Sequence, residues 1–228
     1  MNVWAIVIPN HKNSLYCYHQ LKKSSEEVHN EFDIEKFPAT TPEKVPYRLK
    51  KYQIEWNYPS KGKIYDEDTK LIKSAYAGNN EEARIACAIS HFELWYHISR
   101  QSEGALILEH DAYFINKLDV NLQIPITSIN SPLKATRKAQ QYHQKVQQSK
   151  EAFALAPWID NDKRIPQGLP GHSAYFIQPS AAQEMVELVY KYGLWPNDAL
   201  MCKQLVSNLF VSKKYYTKVQ NAISTTKS

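Results

Sequence analysis

The sequence predicts an α/β fold in which a mostly parallel central sheet is flanked by helices. A first apolar run, Val3 to Ile8, precedes a loop and a helical pattern. A second, Ala105 to Leu108, has four consecutive apolar residues, as in a strand buried on both faces between helical layers. A third, Ser173 to Ile177, again leads into a helical pattern. The recurrence of a strand followed by a helix is typical of α/β domains.

The first part of the chain alternates short predicted elements. After the first strand, Pro9 to Asn13 form a polar loop, and residues 14–29 have a helical pattern. Residues 30–65 are interrupted by prolines, so we expect at most one strand there, Ile34 to Phe37. Residues 67–77 predict a short helix.

The helix before Ala105 has the clearest signals. Asn79 can cap it, with Glu82 three residues later as in a capping box, and acidic residues suit the positive end of the helix dipole. Apolar side chains then recur at helical spacing up to about Arg100, which predicts one buried face. These side chains are Ile85, Ala88, Ile89, Phe92, Trp95 and Tyr96.

Residues 134–155 are rich in Gln and Lys and have few apolar positions. We expect a long, mostly exposed helix or a mobile segment there. Its polar face could contact an acceptor or a membrane, but a solvated face is the simpler interpretation.

The third strand is followed by a second helix with clear boundaries. Ser180 and Gln183 form a capping-box pattern, and Gly193 is a typical stop signal. The predicted buried stripe consists of Met185, Val186, Val189 and Tyr190. After a turn, Asp198 could cap a last helix from Ala199 to Asn208.

Composition narrows the class of protein. The 228 residues have a formal net charge of +5, which suits an anionic small molecule or membrane surface but is too weak and scattered for nucleic-acid binding. Cys17, Cys87 and Cys202 lie far apart without zinc-ligand spacing, so we expect buried, reduced thiols. No stretch approaches the roughly 20 apolar residues of a membrane span. We therefore expect a cytoplasmic protein that could contact the inner face of a membrane peripherally.

The triplet Glu109-His110-Asp111 follows the most apolar strand directly. In open α/β sheets, ligands bind beyond the carboxyl ends of the strands. In an extended segment Glu109 and Asp111 point the same way, with His110 turned aside. One or two carboxylates together with substrate phosphates are the usual ligands of Mg²⁺-type ions. Taken alone, the triplet could equally be an ordinary acidic surface turn.

Four motifs follow one another between about residues 80 and 200. They are Cys87-Ala88-Ile89-Ser90-His91, Glu109-His110-Asp111, Gly171-His172-Ser173-Ala174-Tyr175 and Pro196-Asn197-Asp198. In this order they resemble glycosyltransferase family 25, the lipopolysaccharide and lipooligosaccharide β-galactosyltransferase type. The resemblance implies a GT-A-like nucleotide-sugar-binding domain. We expect residues 1–228 to form a single such domain, in which residues 120–165 could be a variable helical insertion.

The resemblance also implies an activity. A sugar, most often galactose, would pass from a UDP-sugar donor to a saccharide or glycoconjugate acceptor with inversion, and the reaction would depend on Mn²⁺ or Mg²⁺. Such a displacement needs a neutralised diphosphate leaving group and a base for the acceptor hydroxyl. Glu109 and Asp111 match the metal-binding triplet, which makes Asp111 part of the catalytic centre. Asp198 matches the base or acceptor-orienting aspartate.

Further residues are expected at the donor site, some from the resemblance and some from position in the sheet. With Glu109 they are Asn10, Ser90, His91 and His172. Each has a simpler alternative: Ser90 and His91 could only pack their helix, and His172 could be a plain loop histidine. Asp198 could be no more than a helix cap.

Two departures from the family pattern leave an alternative open. His110 stands where another acid is usual, and Asn10-His11-Lys12 replaces the Asp-Arg pattern after the first strand. The alternative is a catalytically weakened GT-A-like domain that binds a glycan or nucleotide sugar without turnover. A metal-dependent phosphoryl or nucleotidyl transferase is disfavoured, because the sequence contains no P-loop.

Overall fold

The computed structural model describes residues 1–78, 80–133, 135 and 138–220. Its strands, in chain order, are β1 (Asn2–Val7), β2 (Glu35–Pro38), β3 (Lys63–Asp66), β4 (Leu71–Ser74), β5 (Ala105–Glu109), β6 (Ala112–Phe114), β7 (Ile126–Ser128), β8 (Phe153–Leu155), β9 (Ala174–Ile177), β10 (Leu209–Ser212) and β11 (Thr217–Val219). Its α-helices are α1 (Lys12–Glu27), α2 (Val45–Tyr52), α3 (Glu81–Ile98), α4 (Ala139–Gln147), α5 (Pro179–Tyr192) and α6 (Asn197–Leu200).

The central sheet has seven strands in the order β2-β1-β5-β9-β7-β10-β8. Strands β2, β1, β5, β7 and β10 run in one direction, and β9 and β8 run against them. The predicted α/β class with a mostly parallel sheet is confirmed. Because β9 is antiparallel to β5, the start of β9 lies at the same sheet edge as the end of β5.

Helices cover both faces of the sheet, as the apolar run of β5 predicts. Leu106 and Leu108 belong to the core cluster that α1 covers with Tyr18 and Leu21. Ile107 belongs to the other cluster, which includes the buried residues of α3 and α5. Alternate side chains of one strand therefore enter two separate cores, so no polar face is needed.

Most of the strands and helices predicted around the sheet are confirmed, with boundaries that differ by about two residues at most. Residues 67–77, however, are not a helix. They belong to the hairpin of β3 and β4. Asp66 accepts hydrogen bonds from the Thr69 backbone and hydroxyl at 2.9 and 2.8 Å, which favours a turn. The β4 backbone also pairs outside the hairpin, since Ile72 donates to Arg164 at 2.7 Å.

The segment 134–155 also differs from the prediction in its described residues. Helix α4 has only nine residues and buries Ala139, Tyr142 and Val146, so its face is not simply solvated. Strand β8 then joins the edge of the central sheet beside β10. Residues 120–165 thus supply two sheet strands, β7 and β8, in addition to a helix.

Helix boundaries show further corrections. Asn79 lies outside the described residues, and Asn80 caps α3 by accepting from the Ala83 backbone at 3.0 Å. Helix α5 begins at Pro179 after Gln178, with no side-chain cap, so the Ser180 capping box is wrong. Gly193 ends it as predicted, with φ of 81°. Tyr190 is 50% exposed and does not belong to the buried stripe.

Candidate active site

The acidic triplet lies where β5 leaves the sheet. Glu109 is the last residue of β5, and Asp111 lies in the turn before β6, so the two acids are not both in an extended segment as predicted. They are nevertheless close enough to interact. Burial, and then the charge of Glu109, raise the pKa of Asp111 to about 7. One carboxylate oxygen of Asp111, Oδ1, is buried and has no hydrogen-bond partner among the described residues.

His110, between the two acids, turns towards β1. Burial lowers its pKa, while the charge of Glu109 and a backbone hydrogen bond with Ile6 oppose that shift. The imidazole therefore favours its neutral form and adds no positive charge beside the acids.

His91 projects from α3 to the end of β5. Its side chain is fully buried, with Nε2 3.2 Å from Glu109 Oε1 and Nδ1 2.9 Å from the Tyr175 hydroxyl. That hydroxyl oxygen also accepts from Trp95 Nε1 at 2.8 Å. Since the indole only donates, the tyrosine proton is left for His91 Nδ1, and the network assigns the Nε2–H tautomer facing Glu109.

His172 completes the aromatic part of the site. It precedes β9, and its ring stacks on Tyr175 with centroids 4.2 Å apart and on His91 at 6.2 Å. The side chain is buried, and neither ring nitrogen has a hydrogen-bond partner in the part of the chain that the structure describes. Burial, reinforced by His91, lowers the pKa of His172 to about 3, so it is neutral at physiological pH. The backbone joins this region to the acids, because Glu109 donates to the Ser173 carbonyl at 2.8 Å.

Asp198 approaches the same acids from α6, close enough for the charge of Glu109 to affect it. The predicted helix from Ala199 to Asn208 is only the four-residue turn Asn197–Leu200, and Pro196 rather than Asp198 holds the cap position. Asp198 Oδ1 instead accepts from the Tyr76 hydroxyl at 2.8 Å. Burial raises the pKa of Asp198, the Tyr76 hydrogen bond opposes that shift, and the charge of Glu109 adds to it. Asp198 is therefore not the N-cap of this helix.

Backbone packing fixes where Asp198 lies. A Cβ atom on Gly168 would meet the carbonyl oxygen of Asp198 at 1.8 Å. Only glycine allows the Pro166–Gly171 loop to approach α6 this closely. The aromatic group beside Asp198 extends further, since Tyr58 packs on both Tyr76 and Trp195 with ring centroids 5.9 Å apart in each pair.

Two expected donor-site residues have other surroundings. Ser90 is buried on α3, donates to the Ala86 carbonyl at 2.8 Å and accepts from the Thr40 backbone at 2.9 Å. Its hydroxyl thus ties the segment after β2 to α3. Asn10 is exposed just after β1, with a left-handed φ of 58°. It lies at the carboxyl edge of the sheet, and its role in donor binding stays a prediction.

Sequence reasoning missed Cys87 as a member of this site. The thiol of Cys87, the imidazole of His91 and the carboxylate of Glu109 have ligand atoms within 4.8 Å of one another. Cys87 and His91 are four residues apart on α3, and this spacing was a usable signal, because it places both side chains on one helix face. Burial, then the charges of Glu109, Asp198 and Asp111, raise the pKa of the Cys87 thiol well above its usual range. Cys17 and Cys202 are buried free thiols, as predicted.

Glu109, Asp111 and Asp198 form an acid cluster. Within the part of the chain that the structure describes, no lysine or arginine side chain pairs with it. Glu109 pairs there only with His91, and neither Asp111 nor Asp198 forms an ion pair with lysine or arginine. Neighbouring carboxylates without a counter-charge disfavour one another's ionised forms. The arrangement is thus suited to receive a cation.

The sequence model of glycosyltransferase family 25 (LPS biosynthesis protein) matches residues 23–201. The chain belongs to this family. It is therefore a glycosyltransferase of the lipopolysaccharide-biosynthesis type, and the predicted enzyme class is confirmed. The match contains every motif of the candidate site, from Cys87 to Asp198. No curated protein sequence matches this family 25 enzyme.

Two solved structures of the galactosyltransferase LgtC are similar to this family 25 enzyme. An active-site mutant of LgtC aligns at 10% identity with a TM-score of 0.46, covering 98% of this chain and 88% of that one. LgtC in complex with donor and acceptor sugar analogues aligns at 11% identity with a TM-score of 0.43, covering 92% and 73%. At these values the likeness carries no weight, and the family assignment rests on the sequence match alone.

A membrane-spanning helix is not found in the described ranges of this family 25 enzyme, where every helix is too short or too polar to cross a bilayer.

Proposed function

We propose that this family 25 enzyme transfers galactose from a UDP-sugar to a saccharide or glycoconjugate acceptor at the cytoplasmic, inner face of a membrane. The proposal includes a divalent cation, Mn²⁺ or Mg²⁺, held by Glu109 and Asp111. It also includes inversion at the anomeric carbon, with Asp198 as the base.

The observation that carries the proposal is the group of carboxylates at the end of β5, which has no lysine or arginine partner among the described residues. Asp111 has a buried, unpartnered carboxylate oxygen, and its pKa is raised to about 7 because it is buried beside Glu109. A group in this state is unfavourable for folding, so its presence is best explained by a positive ligand.

The donor set fits a hard divalent cation. Glu109 is partly exposed at the strand end, with 31% of its side chain accessible, and can supply an oxygen together with Asp111. When bound, the cation neutralises charge on the diphosphate leaving group. His91 holds Glu109 through its Nε2–H, and Tyr175 holds His91 in that tautomer.

The remaining residues have roles in proton transfer and donor placement. Asp198 accepts the proton of the acceptor hydroxyl, and its raised pKa brings it closer to the operating pH of a useful base. Tyr76 orients Asp198 by donating to Oδ1 at 2.8 Å. His172, neutral and with two free ring nitrogens, can hydrogen-bond the diphosphate. Asn10 lies at the carboxyl edge of the sheet, where the nucleoside part of the donor is expected, and Ser90 supports the segment after β2 from α3.

The first test is ligand-dependent melting of chelator-treated protein with Mn²⁺ and a panel of UDP-, GDP- and CMP-sugars. A ligand at about a hundred times its Kd stabilises by about 2.7 kcal/mol. For a domain of this size, that corresponds to a melting temperature higher by roughly 5–10 °C. Asp111→Asn should lose the Mn²⁺-dependent part of this shift, while Asp68→Asn, at an exposed site, should keep it.

The second test follows turnover and stereochemistry. Release of UDP over hours, in the presence of saccharide acceptors, separates a transferase from a domain that binds a nucleotide sugar without turnover. The anomeric configuration of the product, read by NMR, tests the role of Asp198. A product that retains the donor's configuration contradicts a single displacement with Asp198 as base.

A further inference from the structure

Cys87 introduces a ligand type that a site for Mn²⁺ or Mg²⁺ does not require. Hard cations take carboxylate and water oxygens, whereas thiolate and imidazole favour zinc and similar ions. Sulfur, nitrogen and oxygen donors from Cys87, His91 and Glu109 lie within 4.8 Å of one another. Catalytic zinc sites usually have three protein ligands and leave the fourth coordination position to water or substrate.

We infer that Cys87, His91 and Glu109 form a second metal position, selective for thiophilic divalent cations such as Zn²⁺ and Co²⁺, that competes with the hard-cation position for Glu109. Metal binding depends only on the positions of the Cys87, His91 and Glu109 ligand atoms. The competition rests on the proposed function, because Glu109 is shared with the cation that Asp111 helps to hold.

The local structure is suited to three converging ligands. Cys87 and His91 are one helical turn apart on α3, a rigid element, and Glu109 ends a strand whose other four residues are buried. The Tyr175 oxygen, 2.9 Å from His91 Nδ1, can orient the imidazole from behind as metal-bound histidines require. His172 is buried beside His91 with both ring nitrogens unpartnered, so it can accept a hydrogen bond from a metal-bound water.

Metal binding changes the protonation of the ligand side chains. The Cys87 thiol loses its proton to solvent and forms the metal–sulfur bond as a thiolate. His91 ligates through Nε2, whose proton moves to Nδ1; the Tyr175 oxygen then accepts from both His91 Nδ1 and Trp95 Nε1, and its own hydroxyl proton turns away from His91. Glu109 ligates as its carboxylate. About one proton is therefore released for each metal ion bound.

The experiment uses the reduced, chelator-treated full chain titrated with Co²⁺. We expect a near-ultraviolet thiolate-to-cobalt charge-transfer band that saturates at one ion per chain. Cys87→Ser and Cys87→Ala should remove the band and weaken Co²⁺ binding at least tenfold. Cys202→Ala, which removes a buried thiol away from the cluster, should keep it. Folded wild-type protein without the band, or a band that persists in both Cys87 variants, overturns the inference.

A second measurement tests the competition. Zn²⁺ should inhibit Mn²⁺-supported sugar transfer, and Cys87→Ser should raise the inhibitory Zn²⁺ concentration at least tenfold, each enzyme being compared with its own uninhibited rate. Equal inhibition of both enzymes overturns the competition. If no donor supports transfer in wild-type protein, the proposed function fails, while the cobalt band still decides whether the metal position exists.

Discussion

The Tyr175 hydroxyl joins two buried polar side chains behind the acid cluster. It accepts from Trp95 at 2.8 Å and contacts His91 Nδ1 at 2.9 Å. Tyr175→Phe keeps the ring stacked on His172 but leaves both partners buried and unpaired, which costs about 1–3 kcal/mol. Urea denaturation should show this loss of unfolding free energy. Tyr113→Phe, whose hydroxyl makes only a long 3.4 Å bond to Glu27, should stay within about 0.5 kcal/mol of wild type. Equal stability of the two variants contradicts this account.

Tyr76 acts on the chemistry through one hydrogen bond. Its donation to Asp198 lowers the pKa of that carboxyl against the effect of burial. Tyr76→Phe removes the bond, so the pKa of Asp198 rises further and more of the base is protonated at a given pH. The acid limb of the kcat profile should move to higher pH, with a smaller change at alkaline pH. Tyr47→Phe, at a 63% exposed site, is the control. An unshifted acid limb excludes Asp198 as the titrating base.

At the scale of elements, the loop before β9 sets the position of α6. Gly168→Ala would place a methyl group 1.8 Å from the Asp198 carbonyl, so backbone must move. A displacement of about 1 Å can cost 10²-fold in rate, which is the loss expected in kcat/KM. Gly104→Ala is a matched control at the opposite end of β5, where the added carbon meets the Phe176 ring at 2.4 Å. Both variants should lose stability, but only Gly168→Ala should lose this much activity.

Elements that bury a periodic apolar face could be predicted from the sequence, whereas elements held by distant partners could not. Helix α3 and strand β5 follow their local patterns, and both carry site residues. The β3–β4 hairpin instead depends on Lys73, which is buried against Asp66 at 2.6 Å and lies 4.6 Å from the Trp195 ring. Local propensity favoured a helix there, and tertiary contacts decided otherwise. For the same reason α6 ends early, since Lys203 donates its backbone hydrogen to Gln167.

At the scale of the whole molecule, the order of motifs predicted which residues converge but not their contacts. The charge of Glu109 affects both Asp111 and Asp198, although the three acids come from β5, the following turn and α6. The hydrogen bond from Tyr76 to Asp198 spans 122 residues and has no local signature. Convergence at one sheet edge follows from topology, whereas the partner of each side chain follows only from packing.

The shifted pKa values of Asp111 and His172 predict an unusual pH dependence of stability in the metal-free protein. Asp111 has a folded pKa of about 7, above its value in the unfolded chain, so the folded state binds its proton more tightly and stability falls as pH rises from about 4 to 7. His172 has a folded pKa of about 3, below its unfolded value, so stability rises as pH rises from about 3 to 6.5. The two contributions oppose each other between about pH 4 and 6.5.

Single substitutions should separate these contributions. Asp111→Asn removes the titrating carboxyl, so its free energy of unfolding should rise relative to wild type as pH rises from 4 to 7. The gain should be at most about 1.4 kcal/mol per pH unit and should persist above pH 7. His172→Asn should show the opposite slope, gaining relative to wild type as pH falls below about 6.5. Unfolding free energies in a chelating buffer at pH 4–8 measure both differences. Parallel curves for the three proteins would mean that neither group is buried in the state assigned to it, and the argument for a cation at Asp111 would lose its basis.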